Sequence, residues 1–234
     1  MMQKTLQLYI YFYILITIKA CLNITVSLNQ KIENPGFHKT INWLLTFDND
    51  IKELKTDFAF ALYLKIPPGI YVNPDEFASL VRQKELNGRL IGKVNIEYAM
   101  HLSDSHEVML FFEMDGNDVV LSLPIHLRYQ KASFVEEFGE VLLEKPSLFA
   151  NYLGTNTSCD LNKNKGVDLP CSDSNGDCKW VNITYKGVFD ESILLVPIGN
   201  LNHYPIVAIS TILLGCLGCL YILSMLMSTK LKRE

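Results

Sequence analysis

Leu121 to Lys131 reads LSLPIHLRYQK. Apolar residues fall at every second position, Leu121, Leu123, Ile125, Leu127 and Tyr129, with Ser122, Pro124, His126, Arg128 and Gln130 between them. A period of two marks a strand with one face on a core and the other in water. Pro124 has no N–H to give to a ladder, which places the strand at a sheet edge or a bulge. The run predicts a half-buried strand whose polar face presents His126 and Arg128 side by side. That face is either plainly solvated or an edge that contacts another protein through Arg128 and its free backbone.

The same period recurs through residues 21–204, in TINWLLTF (40–47), FAFALYLKI (58–66), VNIEY (94–98), EVMLFFEM (107–114), KWVNITYK (179–186) and SILLVPI (192–198). Turn chemistry separates these runs at IPPGIYVNP (66–74), ELNGR (85–89) and MDGND (114–118). The last lies between two strong strand patterns, so Phe111 to Tyr129 is expected to form a hairpin. One helix is expected over Asp75 to Lys84, with Asn73 as cap and Pro74 at its first position. Residues 133–177 pattern poorly, with one short strand at EVLLE (140–144). About eight strands and little helix predict a mainly β, antiparallel sandwich-like domain, with an open barrel as the alternative.

Both ends of the chain are apolar. MMQKTLQLYIYFYILITIKA carries Lys4, an apolar run from Leu6 to Ile18, and Ala20, which predicts a cleaved signal peptide over residues 1–20. A short signal anchor is the alternative. Ile206 to Met227 is uncharged and, as a helix, about 33 Å long, enough to cross a hydrocarbon core of roughly 30 Å. Lys230, Lys232 and Arg233 follow it, which puts the tail in the cytosol. The expected organisation is a signal at 1–20, a lumenal β domain at 21–204, a transmembrane helix at 205–227 and a tail at 228–234, in a single-pass type I protein. Lys230 and Lys232 stand fifth and third from the end, as in a Lys-x-Lys-x-x retrieval signal of the endoplasmic reticulum; a stop-transfer cluster is the alternative.

Three sequons begin at Asn23, Asn156 and Asn182. Asn23 and Asn182 each fall on the polar parity of an alternating run, as a glycan requires. Cys21, Cys159, Cys171 and Cys178 are candidate disulfide residues in an oxidising lumen, with pairing open. At least one of the last three is expected to staple the polar loop they flank. Cys216 and Cys219 fall in the apolar helix.

No catalytic, cofactor-binding or metal motif accompanies these features. Gly-x-Ser-x-Gly, a phosphate loop and His-Glu-x-x-His are absent from the sequence. His101, Asp104 and His106 read as a polar turn rather than a metal cluster. Glu136, Glu137 and Glu140 read as exposed loop charges. A formal charge of -4 with no basic patch outside the tail argues against nucleic-acid binding.

The run LPIHLRYQ (Pro124, His126, Arg128, Tyr129), the later LLVPIGN (Pro197, Gly199), and a single terminal span with a short basic tail resemble the PIG-X family, accessory subunits of glycosylphosphatidylinositol mannosyltransferase I. The resemblance implies a non-catalytic subunit, without cofactor, that stabilises a polytopic PIG-M-like enzyme of the endoplasmic reticulum membrane, the enzyme that adds the first mannose to the anchor precursor. Expected contacts are the His126, Arg128 and Tyr129 region and the small residues Ser210, Gly215, Gly218 and Ser224 of the span. A glycosylated adhesion or receptor domain, or a lumenal binding protein, is the alternative.

Overall fold

A computed structural model describes residues 25–48, 58–114, 116–153, 166–172, 176–189 and 192–231. Among these, the chain forms two sheets and a ribbon. In the first sheet, β1 (Val26–Glu33) and β2 (His38–Phe47) make a hairpin, and β7 (Asp118–Leu127) lies on the other side of β2. β4 (Ile70–Tyr71) pairs only the end of β7, and β12 (Lys186–Gly187) adds a short parallel edge to β1. The second sheet runs β10 (Val167–Pro170), β11 (Asp177–Ile183), β9 (Ser147–Tyr152), β3 (Phe58–Ile66), β6 (His106–Phe112) and β5 (Gly88–Ile91), all antiparallel. β8 (Phe138–Leu143) and β13 (Ser192–Pro197) pair as a separate ribbon. The helices are α1 (Pro74–Gln83) and α2 (Tyr204–Leu231).

Alternation builds the core. Ile41, Trp43, Leu45 and Phe47 of β2 and Leu123, Ile125 and Leu127 of β7 face Phe60, Leu62, Leu64 and Ile66 of β3. Val141, Leu143, Leu194 and Val196 bring the ribbon into the same core. Full burial of each such side chain contributes about 1.5–3 kcal/mol. A smaller cluster of Ala61, Met109, Phe111, Phe149 and Trp180 occupies the opposite parity of the second sheet. The expected helix is present: Asn73 Oδ1 accepts from Asp75 N at 3.0 Å, and Lys84 closes α1 at φ 60°.

Pro124 sits at an open edge. Leu127 N donates to Phe37 O, so the N–H groups of residues 125 and 123 also face β2. Position 124 faces the other way, ahead of the two residues of β4. A missing donor there removes no ladder bond.

Several expectations fail for identifiable reasons. MDGND does not close a hairpin: β6 pairs β3 and β5, whereas β7 pairs β2 and β4. β6 is buried on both faces and lies between β3 and β5 in the second sheet, whereas β7, which follows it in sequence, belongs to the first. VNIEY is an irregular loop, because Asn95 Oδ1 accepts from Glu97 N at 3.0 Å and the carbonyls of Asn95 and Tyr98 turn to Arg128. ELNGR is not all turn, since Gly88 opens β5; a Cβ there would lie 2.6 Å from Met109 O, which only glycine avoids. Residues 133–177 hold β9 as well as β8 and β10. The core of β9, Leu148 to Asn151, is buried on both faces and shows no alternation.

The alternation of the quoted run predicts burial correctly only to Leu127. Arg128, expected in solvent, is 3% exposed, and Tyr129, expected in the core, is 73% exposed. Arg128 stays on the side of His126, but the loop after Gly92 lies over it. Tyr129 passes the end of the core and packs on Phe37 at 4.9 Å.

Two substitutions test the edge assignment by thermal or urea unfolding. Pro124→Val is expected to leave the midpoint nearly unchanged. Ile125→Pro removes a donor facing β2 and is expected to destabilise by about 3 kcal/mol or more.

Candidate functional site

The end of β7 organises a column of stacked rings. Three adjacent strands place His38, His126 and Tyr71 in register, since His126 pairs His38 of β2 and Tyr71 of β4. His38 and His126 are a non-hydrogen-bonded pair, the closer kind of cross-strand neighbour. Their rings stack at 4.6 Å, and His126 stacks on Tyr71 at 4.9 Å. The Arg128 guanidinium lies 4.6 Å from the Tyr71 ring centre, on that ring's face. Glu76, in the first turn of α1, reaches both imidazoles: its Oε2 accepts from His126 Nε2 at 2.9 Å, and Oε1 lies 3.6 Å from His38 Nε2.

Arg128 ends the column. Its Nη1 donates to Asn95 O at 2.7 Å and Tyr98 O at 2.6 Å, and its backbone N–H donates to Gly69 O at 2.9 Å. No carboxylate among the described residues comes within ion-pair distance, and Nε has no partner. Desolvation pushes its pKa down, opposed by Tyr71. A cavity of about 190 Å³, lined by Lys93, Asn95, Tyr98, Leu102, Ser103, Asp104 and Arg128, borders it.

His38, Glu76 and His126 bring three ligand-type atoms within 4.8 Å of one another. A metal bond of about 2 Å lies along the in-plane lone pair of an imidazole. Rings stacked at 23° aim those lone pairs alongside one another, not at one point. Ligation would require His38 to turn out of the stack. As it stands the arrangement clamps α1 to the first sheet. The spacing of the sequence gives no hint of this cluster, because strand register joins residues 38, 71 and 126, and the packing of α1 brings Glu76 to them.

The other candidates are separate. His106 is buried on the core side of β6, where its Nε2 accepts from Val72 N at 3.2 Å, while His101 lies in an exposed 3-10 turn. The two do not converge. Glu136, Glu137 and Glu140 are exposed. Cys171 and Cys178 are joined by a disulfide across the β10–β11 hairpin. Asn182 is exposed on β11. Asn23, Asn156, Cys21, Cys159 and Lys232 lie outside the described residues, and Lys230 falls in the last turn of α2. Cys216 and Cys219 are free and exposed on α2, and beyond the adjoining residues and backbone of α2 no described atom lies within 4 Å of a Cβ placed at Gly215 or Gly218.

Two measurements follow from this geometry. Burial, aided by the Arg128 charge, lowers the His106 pKa from 6.5 to about 4. The unfolded chain therefore binds the proton first. Stability is complete above pH 6.5 and falls as pH drops toward 4, by about 3 kcal/mol in all. Urea unfolding across that window should show this slope, and His106→Gln should flatten it. Glu76→Gln weakens the clamp and should cost about 1 kcal/mol, with no further loss when His126→Ala is already present.

Residues 34–227 match the PIG-X / PBN1 family. A Homo sapiens protein named GPI alpha-1,4-mannosyltransferase I, stabilizing subunit, is 29% identical over 200 residues, covering 82% of this chain and 76% of its own length. A Mus musculus protein of the same name is 27% identical over 207 residues, covering 82% and 77%. The family match runs from the turn of the first hairpin, through the His126 and Arg128 column and the ribbon, to the last apolar residues of α2; this chain belongs to the PIG-X / PBN1 family.

Proposed function

We propose that this chain is the non-catalytic, stabilising subunit of a GPI mannosyltransferase I. The observation that carries the reading is the family match over residues 34–227, together with relatives named as stabilizing subunits across 82% of the chain. The partner is a PIG-M-like polytopic enzyme in the endoplasmic reticulum membrane, which adds the first mannose to the anchor precursor. The chain is a type I membrane protein with a signal at 1–20, a lumenal body at 21–204, a span at 205–227 and a tail at 228–234. Glycans at Asn23, Asn156 and Asn182 and retrieval through Lys230 and Lys232 complete this reading.

Physical features support it. Within the stretch Leu201–Met227 an 18-residue run reaches a mean hydropathy of 2.5, and the body buries none of that run. A helix apolar all round belongs in lipid or against other helices. Ser210, Gly215, Gly218 and Ser224 give it small side chains for close approach. On the body, the contact runs through the His126, Arg128 and Tyr129 region, with the residues in different roles. Tyr129 is the exposed anchor and His126 is half-buried, while Arg128 holds the scaffold beneath.

Those roles decide which substitution is informative. Arg128→Ala leaves two carbonyls without their donor and is expected to destabilise the body itself by roughly 3 kcal/mol. Tyr129→Ala removes exposed surface and leaves the core intact. In cells depleted of this chain, the catalytic subunit and surface GPI-anchored proteins should both fall. Wild type should restore both, and Tyr129→Ala should restore neither fully while accumulating normally. An unchanged catalytic-subunit level on depletion rejects the function. Full rescue by Tyr129→Ala rejects the contact.

A further inference from the structure

The turn at residues 133–136 is fixed to the base of the membrane helix. Ser133 N donates to Gly199 O at 3.0 Å, and Leu201 N donates to Ser133 O at 2.9 Å. Ile198 N donates to Glu137 O at 2.8 Å, and Asn202 Nδ2 donates to Phe134 O at 3.2 Å. These four bonds cover residues 198–202, immediately before α2 begins at Tyr204. Within the turn, Ser133 Oγ accepts from both Val135 N and Glu136 N at 3.2 Å, which sets the shape of the tip.

The tip carries the wrong residues for water. Phe134 is 65% exposed and Val135 is 89% exposed, and Tyr204 is exposed beside the same junction. The candidate spanning stretch is Leu201–Met227, and its apolar run begins at Ile206, four residues after Asn202. A turn bonded to Leu201 and Asn202 therefore sits at the depth where a bilayer begins. Aromatic and aliphatic side chains at that depth transfer favourably into the interface.

We propose that Phe134 and Val135 form a ledge that inserts into the lumenal leaflet and seats the body on the membrane. The occupant of this patch is lipid, because the patch is continuous with the spanning helix and tied to it by backbone hydrogen bonds. The inference rests on the reading that α2 spans the membrane. A helix alone leaves the body free to swivel about its axis. A second point of insertion removes that freedom and gives the Tyr129 surface, five residues before Phe134, a fixed orientation toward a membrane-embedded partner.

The test uses the intact chain reconstituted in phosphatidylcholine vesicles with bromines at shallow or deep acyl positions. Single tryptophans are added at Val135→Trp, at Leu213→Trp in the span, and at Val120→Trp. Val120 is 70% exposed, roughly 23 Å along β7 from Leu127. Each is read as the difference from the parent, which subtracts Trp43 and Trp180. The expected result is blue-shifted emission from Val135→Trp, quenched by shallow bromines, with Val120→Trp unshifted and unquenched. If Leu213→Trp is quenched and Val135→Trp behaves like Val120→Trp, the ledge is wrong and the span stands; a protein partner then becomes the better occupant. If Leu213→Trp is not quenched either, the span reading fails and takes the ledge with it.

Discussion

Arg128 keeps its charge at any ordinary pH, so its burial obliges the chain around it to supply acceptors. An unpaired buried cation costs several kcal/mol, and no carboxylate among the described residues pairs with this one. Its hydrogen-bond acceptors are main-chain oxygens, at Asn95 and Tyr98. Carbonyls turned toward a guanidinium are withheld from a neighbouring strand, which is why residues 94–98 form a loop despite their composition. The face of Tyr71 supplies the remaining stabilisation, and that ring is held by a strand only two residues long. The irregular loop is thus a consequence of one buried charge, while β4 is kept short by the turn at Pro67 and Pro68 before it and by the Asn73 cap of α1 after it.

The column extends this constraint outward. Tyr71 backs His126, His126 backs His38, and Glu76 ties both imidazoles to α1. Every member comes from a different element apart from Arg128 and His126, which share the β7 segment. The run that carries the family resemblance, Pro124, His126, Arg128 and Tyr129, therefore has a physical role at each position. Pro124 lies where a donor is not needed, His126 and Arg128 build the column, and Tyr129 faces out. None of these roles requires chemistry on a substrate, in keeping with relatives named as a stabilizing subunit.

Period-two alternation identified the core faces of β2, β3 and β7 because each of those strands buries chiefly one side. It failed where both sides are buried, as in β9, whose buried residues read as a plain apolar patch. It also failed to choose partners: β6 and β7 are adjacent in sequence with a turn between them, yet they belong to different sheets. Strand patterning specifies a face, and the competition for interior positions specifies the neighbour. Arg128 shows a third limit, since parity gives the direction of a side chain and says nothing of a loop folded over it. The stacked site was illegible for the same reason as the strand order. It depends on register between residues that the sequence keeps up to 88 positions apart, from His38 to His126.

An apolar helix without a polar stripe has no preferred side by which to recognise a partner. Ser210, Gly215, Gly218 and Ser224 narrow the choice only slightly. Recognition by α2 alone would be weak and rotationally loose. A contact on the body through the exposed Tyr129 would also be weak alone. Joined on one rigid scaffold, the second contact forms at high effective concentration once the first is made, so affinity rises without any new contact. That gain requires the scaffold to hold the two surfaces in a fixed relation. The hydrogen bonds from residues 133–137 to residues 198–202 provide the stiffness at the junction, and the ring column provides it behind Tyr129. For the proposed role of stabilising another protein, rigidity between two modest contact surfaces is the property under most demand, and the junction bonds and the ring column both serve it.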